Sequence, residues 1–323
     1  MNATMTGNST IPPCSVVIRA YNEEKHIGRL LEGVFRQTLK DPEIILVDSG
    51  STDATISIAS RFPVRIVHIQ PDEFSFGRSL NLGISYTTAE KIVIVSAHVY
   101  PVYPDWFERL LAPFNNPEVA LTYGKQRGDD NARFSEQQVF AGWYPEHSEP
   151  RQTHPFCNNA NAAIRRSLWE AHPYDETLSG LKDLAWTHWA IGQGNFLAYV
   201  AEAEVIHVHD EKPRAVYNRY VREAMAFKRI FPQEHFHLRE FLYLVSTSIA
   251  SDLWHAARQK ALVKHLASIF WFRWMQFWGT YQGYRRSGPL TEKLRQTFYY
   301  PQGFASTQTT FKRKVEPIQY TDA

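Results

Sequence analysis

Residues 14–53 run CSVVIRAYNEEKHIGRLLEGVFRQTLKDPEIILVDSGSTD, and the alternation of hydrophobic runs with polar loops in this stretch decides the fold. Cys14-Ser-Val-Val-Ile18 is a short β-branched run with the character of a buried strand, followed by the polar loop Arg19-Ala-Tyr-Asn-Glu-Glu24. Ile27, Leu30, Leu31 and Val34 then recur at helical spacing. Glu43-Ile-Ile-Leu-Val47 is a second buried-type strand ending in Asp48-Ser-Gly-Ser-Thr-Asp53, where Ser51 or Asp53 can cap a helix carrying Ile56, Ile58 and Ala59. The unit repeats. Val64–Ile69 predicts a strand, Gly77–Ser85 a helix, and Lys91–Val95 a strand that ends at Ser96-Ala-His98. Strands alternating with helices predict an α/β fold: a mostly parallel sheet with helices on both faces.

Downstream, Trp106–Phe114 predicts a helix, and the pattern loosens between Tyr123 and His154, which is expected to form a loop wall for a substrate. Order returns at Asn161–Ile164, at Asp183–Ile191, and at Phe196–Val200 with Val205-Ile206. From about Arg219 the pattern is helical, with Pro232 as a break. The expected division is a flexible tail over residues 1–13, a catalytic domain over 14–235 and a C-terminal helical appendage over 236–323. In the last part Leu244, Val245, Ile249 and Leu253, then Leu262, Val263, Leu266, Ile269, Phe270 and Trp274, suggest two amphipathic helices among basic residues. They are suited to packing on the catalytic domain, to pairing two subunits as a homodimer, or to peripheral contact with a membrane.

The chain has 323 residues, 44% hydrophobic and 14% aromatic, enough for a packed core. Lys+Arg 35 against Asp+Glu 33 leaves a formal charge of +2, so no chain-wide positive field exists to hold a nucleic acid. Two cysteines, Cys14 and Cys157, exclude a disulfide scaffold and fit a reducing, cytoplasmic compartment. No stretch reaches the ~18 uninterrupted apolar residues of a spanning helix, because Arg273 and Gln276 interrupt the nearest one.

In open parallel sheets, ligands sit beyond the carboxyl ends of the strands. Here those ends carry Arg19, Tyr21, Asn22 and Glu23, then Asp48 and Ser49, then Ser96 and His98. Taken in order, Val16–Glu24, Ile45–Asp53, Gly77-Arg-Ser-Leu-Asn-Leu-Gly83, Asn158–Arg166, Tyr174-Asp-Glu176, Gly180-Leu-Lys-Asp183 and Ile206-His-Val-His209 resemble a family 2 glycosyltransferase with the A-type nucleotide-sugar fold. The resemblance covers roughly Cys14 to Phe231 and is nearest to bacterial rhamnosyltransferase-like enzymes of surface polysaccharide synthesis.

The resemblance implies a sugar transfer, inverting by direct displacement, from a nucleotide diphosphate sugar to a saccharide or lipid-linked saccharide acceptor, at the inner face of the cell membrane. Arg19, Tyr21, Glu23 and Asp48 fall where the family holds base and ribose. Ser49 stands where many uridine-binding members have a second Asp, which leaves thymidine and guanosine donors open. Arg78 and Asn81 match residues near the diphosphate, where a guanidinium offers paired donors to phosphate oxygens. Ser96-Ala97-His98 replaces the usual Asp-x-Asp, so oxygen ligands for Mg²⁺ are gone and an imidazole site formed by His98 and His209 favours Mn²⁺. A metal-free site, with His98 donating to a phosphate, is the other reading.

Asp183 aligns with the family's catalytic carboxylate and is the expected base, although Asp is equally suited to an N-cap there. Lys182 replaces an acidic partner. Asn158, Asn159 and Asn161 are dense in amides able to address sugar hydroxyls, and Trp186 can stack on a sugar face. Arg219 and Arg222 form a charged edge that is expected to fold over the diphosphate as a lid. Two rivals stay open: a non-catalytic nucleotide-sugar or glycan-binding subunit, suggested by the lost Asp-x-Asp, and a nucleotidyltransferase, for which Ala20-Tyr21-Asn22 lacks the Gly-rich loop.

Overall fold

The computed structural model describes residues 13–70, 73–209, 211–285 and 315–320. Most of the expected N-terminal tail lies outside them. The elements run β1 (Ser15–Ala20), α1 (Ile27–Phe35), β2 (Glu43–Asp48), α2 (Thr55–Ala59), β3 (Arg65–His68), α3 (Phe76–Ser85), β4 (Lys91–Ser96), β5 (Val99–Pro101), α4 (Trp106–Leu111) and β6 (Val119–Arg127). They continue with α5 (Phe134–Trp143), β7 (Glu149–Gln152), β8 (Asn161–Arg165), α6 (Arg166–Ala171), α7 (Lys182–Gly192), β9 (Phe196–His207), α8 (Pro213–Ile230), α9 (Leu238–Arg258) and α10 (Leu262–Arg285).

One sheet of order β3-β2-β1-β4-β8-β6-β9-β5, with β7 on β9, organises the molecule. β1, β2, β3 and β4 are parallel, as the repeated strand–helix unit predicts. β8 then enters antiparallel between β4 and β6, and β9 runs parallel to β6. The carboxyl ends of β1, β2, β4, β6 and β9 therefore share one edge, and the start of β8 meets them there, with Asn161 opposite Val95. Successive side chains of a strand point to opposite faces. Val16 and Ile18 accordingly join a core with Ile27, Leu30 and Leu31 of α1, whereas Val17 joins Leu80 and Ile84 of α3 on the other face.

The stretch expected to be loose, Tyr123–His154, contains the end of β6, all of α5 and β7. Its pattern is unreadable as an amphipathic helix because α5 is covered on more than one side: Phe134 packs with Ala256 of α9 and Ile269 of α10, while Phe140 faces Tyr144 and the sheet. The helical layer also starts earlier than residue 236. α8 lies against α10 so closely that a Cβ on Gly279 would stand 2.6 Å from the Tyr217 carbonyl oxygen, and one on Gly283 2.6 Å from that of Val221.

A buried ion pair ties the layer together. Arg273 donates to Asp252 through Nε at 2.7 Å and an Nη at 2.9 Å, with both residues at most 3% exposed. Another Nη of Arg273 reaches Gln276 at 2.9 Å, and Gln276 donates to the Tyr220 hydroxyl of α8 at 3.2 Å. Removing one partner of such a pair strands a buried charge, so Asp252→Ala is expected to lower stability by about 3–5 kcal/mol in urea unfolding. A loss under about 1 kcal/mol would show that the pair does not hold α9 to α10.

Candidate active site

A cleft of about 580 Å³ opens at the shared carboxyl edge of the strands. Its floor is built by two loops that fix each other. Asn22 accepts from the Thr52 N–H at 2.8 Å and its own N–H donates to the Ser51 hydroxyl at 2.9 Å; Asp53 accepts from the Glu24 N–H at 3.0 Å, and Glu24 from the Ala54 N–H at 3.0 Å. Asn22 adopts the left-handed region (φ 54°), which short amide side chains tolerate. Asp48 accepts from the Gly50 and Ser51 N–H groups at 3.1 and 3.2 Å and faces His68 Nδ1 at 3.3 Å. It shapes the loop it begins.

Across the cleft three cations surround one aromatic ring. The guanidinium of Arg19 lies 5.1 Å from the Phe76 centroid, that of Arg222 4.9 Å, and the Lys182 ammonium 5.6 Å. Burial pushes Arg19 down to about 10; Asp183 opposes that push and Arg222 adds to it. Lys182 is lowered as well, first by burial. Nε of both Arg19 and Arg222 is buried without a hydrogen-bond partner. Charged donors left unmet in a cleft call for an anion able to accept from several at once.

Asp183 stands among these cations, 6% exposed, in the first turn of α7. One of its oxygens accepts from the Asn159 N–H at 3.0 Å and the other from its neighbour Leu184 N–H at 3.1 Å. Each oxygen keeps a lone pair for a further donor. Leu181, the residue before the helix, has φ 51°, a region that costs a bulky side chain energy. That turn aims Lys182 and Asp183 into the cleft.

On the other side of the cleft, His98, His207 and His209 place one ring nitrogen each within 4.8 Å of one another. The Nδ1 atoms are all engaged: His98 with Glu23 at 2.7 Å, His207 with Gln126 Oε1 at 2.7 Å, and His209 with Glu136 at 2.7 Å. An Nδ1–H donated to an oxygen leaves Nε2 with its lone pair, the arrangement that orients imidazoles as metal ligands. Nε2 of His207 and Nε2 of His209 face each other at 3.0 Å. Burial, then the neighbouring histidines and Arg219, push His207 well below the usual value; burial, then Arg219, do the same to His209. A proton between them is disfavoured, and a cation that takes lone pairs from neutral imidazole fits the donor set.

Of the residues singled out from the sequence, Arg19, Glu23, Ser96, His98, Asn158, Asp183, His209, Arg219 and Arg222 line this cleft. Others are relocated. Arg78, expected near a diphosphate, turns outward to Glu73 at 2.9 Å and is half exposed, while Lys182 and Arg222 supply cations to the cleft beside Phe76. Asn81 is consumed by structure, donating to the Tyr174 carbonyl and Glu176 at 2.9 Å each and accepting from Trp169 Nε1 at 2.9 Å. Trp186 is a core residue whose Nε1 donates to the His172 carbonyl at 2.7 Å.

Asn161 bridges strands, accepting from Trp106 Nε1 at 2.9 Å and donating to the Ala203 carbonyl at 2.8 Å. Asn159 holds Asp183 through its backbone, and its side chain donates to the Tyr174 hydroxyl at 3.2 Å. Ser49 is buried and donates to the Ala20 carbonyl at 3.3 Å, while Tyr21 is 58% exposed and does not line the cleft. Arg219 is already paired, with Glu211 at 2.8 Å and Glu136 at 3.2 Å, and it sits on a regular helix packed to α10, so the expected lid is a fixed wall. Phe76 and His207 are the residues missed; His207 was legible as the first histidine of His207-Val-His209 at the end of β9.

A sheet of this order, with cations, a carboxylate and histidines gathered at its carboxyl edge, has the architecture of the A-type nucleotide-sugar fold. Residues 15–172 match the profile of Glycosyl transferase family 2. The chain is 26% identical over 219 residues to the O-antigen chain rhamnosyltransferase RfbN of Salmonella typhimurium, covering 64% of this chain and 69% of that one. It is 29% identical over 222 residues to the O-antigen chain rhamnosyltransferase WbaN of Salmonella anatum, covering 65% and 70%. In fold it is similar to the mannosyltransferase PcManGT from Pyrobaculum calidifontis, solved with GDP-Man and Mn²⁺, at TM-score 0.55 and 20% identity over 85% of each chain. The chain carries a family 2 glycosyltransferase domain and is a glycosyltransferase.

The lowered histidines set a pH dependence. The unfolded chain protonates them near pH 6.5, while the folded chain resists until lower pH, so the unfolded state binds more protons and stability falls as pH drops below about 6.5. The expected slope reaches about 1.4 kcal/mol per pH unit for each histidine. Melting curves of the wild type and of the His207→Gln/His209→Gln variant check it: the variant should show a shallower fall, and identical slopes would sink the assignment.

Proposed function

We propose that this glycosyltransferase moves a sugar of the rhamnose type, with inversion, from its nucleotide diphosphate donor to a saccharide acceptor, lipid-linked at the inner face of the cell membrane, in building a bacterial surface polysaccharide. The observation that carries the reading is the trio Arg19, Lys182 and Arg222 around Phe76, with Asp183 among them. The two rhamnosyltransferase relatives support the sugar class and the pathway.

In this reading the diphosphate lies against the three cations. Asp183 takes the proton of the acceptor hydroxyl as that hydroxyl's oxygen bonds to the anomeric carbon and the sugar–phosphate bond breaks. The leaving diphosphate develops charge where Arg19, Lys182 and Arg222 already stand, which lowers the barrier without reorganisation. The nucleoside points toward the 48–53 loop that Asp48 organises. His98, His207 and His209 suit a divalent cation, Mn²⁺ over Mg²⁺ because the donors are imidazoles. Such an ion supplies further charge neutralisation at the diphosphate. Glu23 and Glu136 act behind the ligands by holding their Nδ1–H groups.

Asp183→Asn is isosteric and cannot take a proton, so transfer is expected to fall by about 10²- to 10⁴-fold while a nucleotide-sugar panel in thermal shift still raises the melting temperature as in the wild type. Near-wild-type turnover would remove Asp183 from the role of base, and a wild type that binds donors but transfers nothing would favour the binding-subunit reading. Titration calorimetry with Mn²⁺ tests the histidines separately. Binding should be clear for Mn²⁺, weaker for Mg²⁺, and lost in His207→Ala. Full transfer in chelator, with no heat from Mn²⁺, would mean a metal-free site.

A further inference from the structure

The hairpin of α9 and α10 carries an apolar surface that the cleft does not use. Leu262, Leu266, Phe270 and Trp274 recur every four residues and so form one row along α10, and they are 36–48% exposed. Val263 beside them is 92% exposed, and Leu238, Leu242 and Trp254 of α9 are more than half exposed. At 1.5 Å per residue the row on α10 spans about 18 Å. Contiguous apolar surface on this scale marks an interaction site, whereas single exposed residues do not.

The charges around it select the partner. Arg258, Lys260, Lys264 and Arg285 are exposed, as is Arg239, which pairs with Glu240 at 2.8 Å, whereas the two carboxylates of the hairpin, Glu240 and Asp252, are buried. A second copy docked by a two-fold axis would set this cationic rim on itself, with both hairpin carboxylates already committed inside one copy, Glu240 to Arg239 and Asp252 to Arg273. An anionic lipid leaflet supplies the missing charge. Trp254, Tyr243 and Trp274 are residues of the kind that settle at headgroup depth, and the Arg258 guanidinium lies 4.6 Å from the Trp254 ring centroid. No described helix is long and apolar enough to cross a membrane, which leaves a surface-lying mode.

We propose that the α9–α10 hairpin is a peripheral membrane-docking surface that lies along an anionic lipid leaflet. The docking residues stand outside the cleft. α10 packs on α8, the helix of Arg219 and Arg222, so docking holds the cleft at a set attitude to the leaflet. This deepens the reading of a lipid-linked acceptor and rests on it only for its purpose.

The test is co-sedimentation of the full chain with vesicles of phosphatidylcholine plus phosphatidylglycerol, against vesicles of phosphatidylcholine alone. The wild type should sediment with the anionic vesicles only. Val263→Asp, and separately Arg258→Glu/Lys264→Glu, should each weaken this at least tenfold while the melting shift given by a nucleotide sugar stays unchanged. The proposal is overturned by absence of sedimentation, by equal sedimentation with neutral vesicles, or by binding that neither variant weakens. A dimer in analytical ultracentrifugation that Val263→Asp dissolves, without vesicle binding, would give the surface to a second copy. A wild type that binds vesicles but shows no shift with any nucleotide sugar would instead count against the transfer reading and leave the docking surface standing.

Discussion

Positive charge held out of water without enough negative charge beside it is the constraint from which the rest of the cleft follows. Arg19 leaves β1 at the sheet edge, Lys182 opens α7, and Arg222 comes from α8; each belongs to a different part of the chain. Desolvating three cations together costs energy that the carboxylates beside them, Asp183 and, near Arg222, Glu223, offset only in part. The fold holds them there by other means: the sheet core behind β1, the left-handed turn at Leu181, and the close packing of α8 on α10. In the proposed reading, an incoming diphosphate would be a missing component of the electrostatics rather than an addition to them.

The histidine cluster follows a related logic with the sign reversed. The three imidazole rings crowd one spot, and each is braced from a different element: the loop after β1, strand β6 and helix α5. A pair of aspartates would carry the charge needed to hold a hard ion. Imidazoles carry none, so an ion held here would be selected by donor softness and by the oxygens behind the rings.

Much of this was legible in the amino-acid sequence, and the limits have physical causes. Strands buried on both faces are continuous apolar runs, so β1, β2 and β4 announced themselves, and the polar residues at their ends had to meet at one edge. α5 was not legible because a helix covered on several sides has no polar stripe. The roles of Asn81, Asn161 and Trp186 were misread for a common reason: an amide or an indole N–H looks the same in a sequence whether it faces a ligand or satisfies a carbonyl in the core. Phe76 was invisible because its importance lies in what three distant segments bring to it.

The contact between α8 and α10 has one more consequence. Where Gly279 and Gly283 admit the α8 backbone, there is no slack for the arginine-bearing helix to swing. In the proposed reading, donor capture on that side would resemble a key entering a finished lock, with little conformational entropy spent there on association.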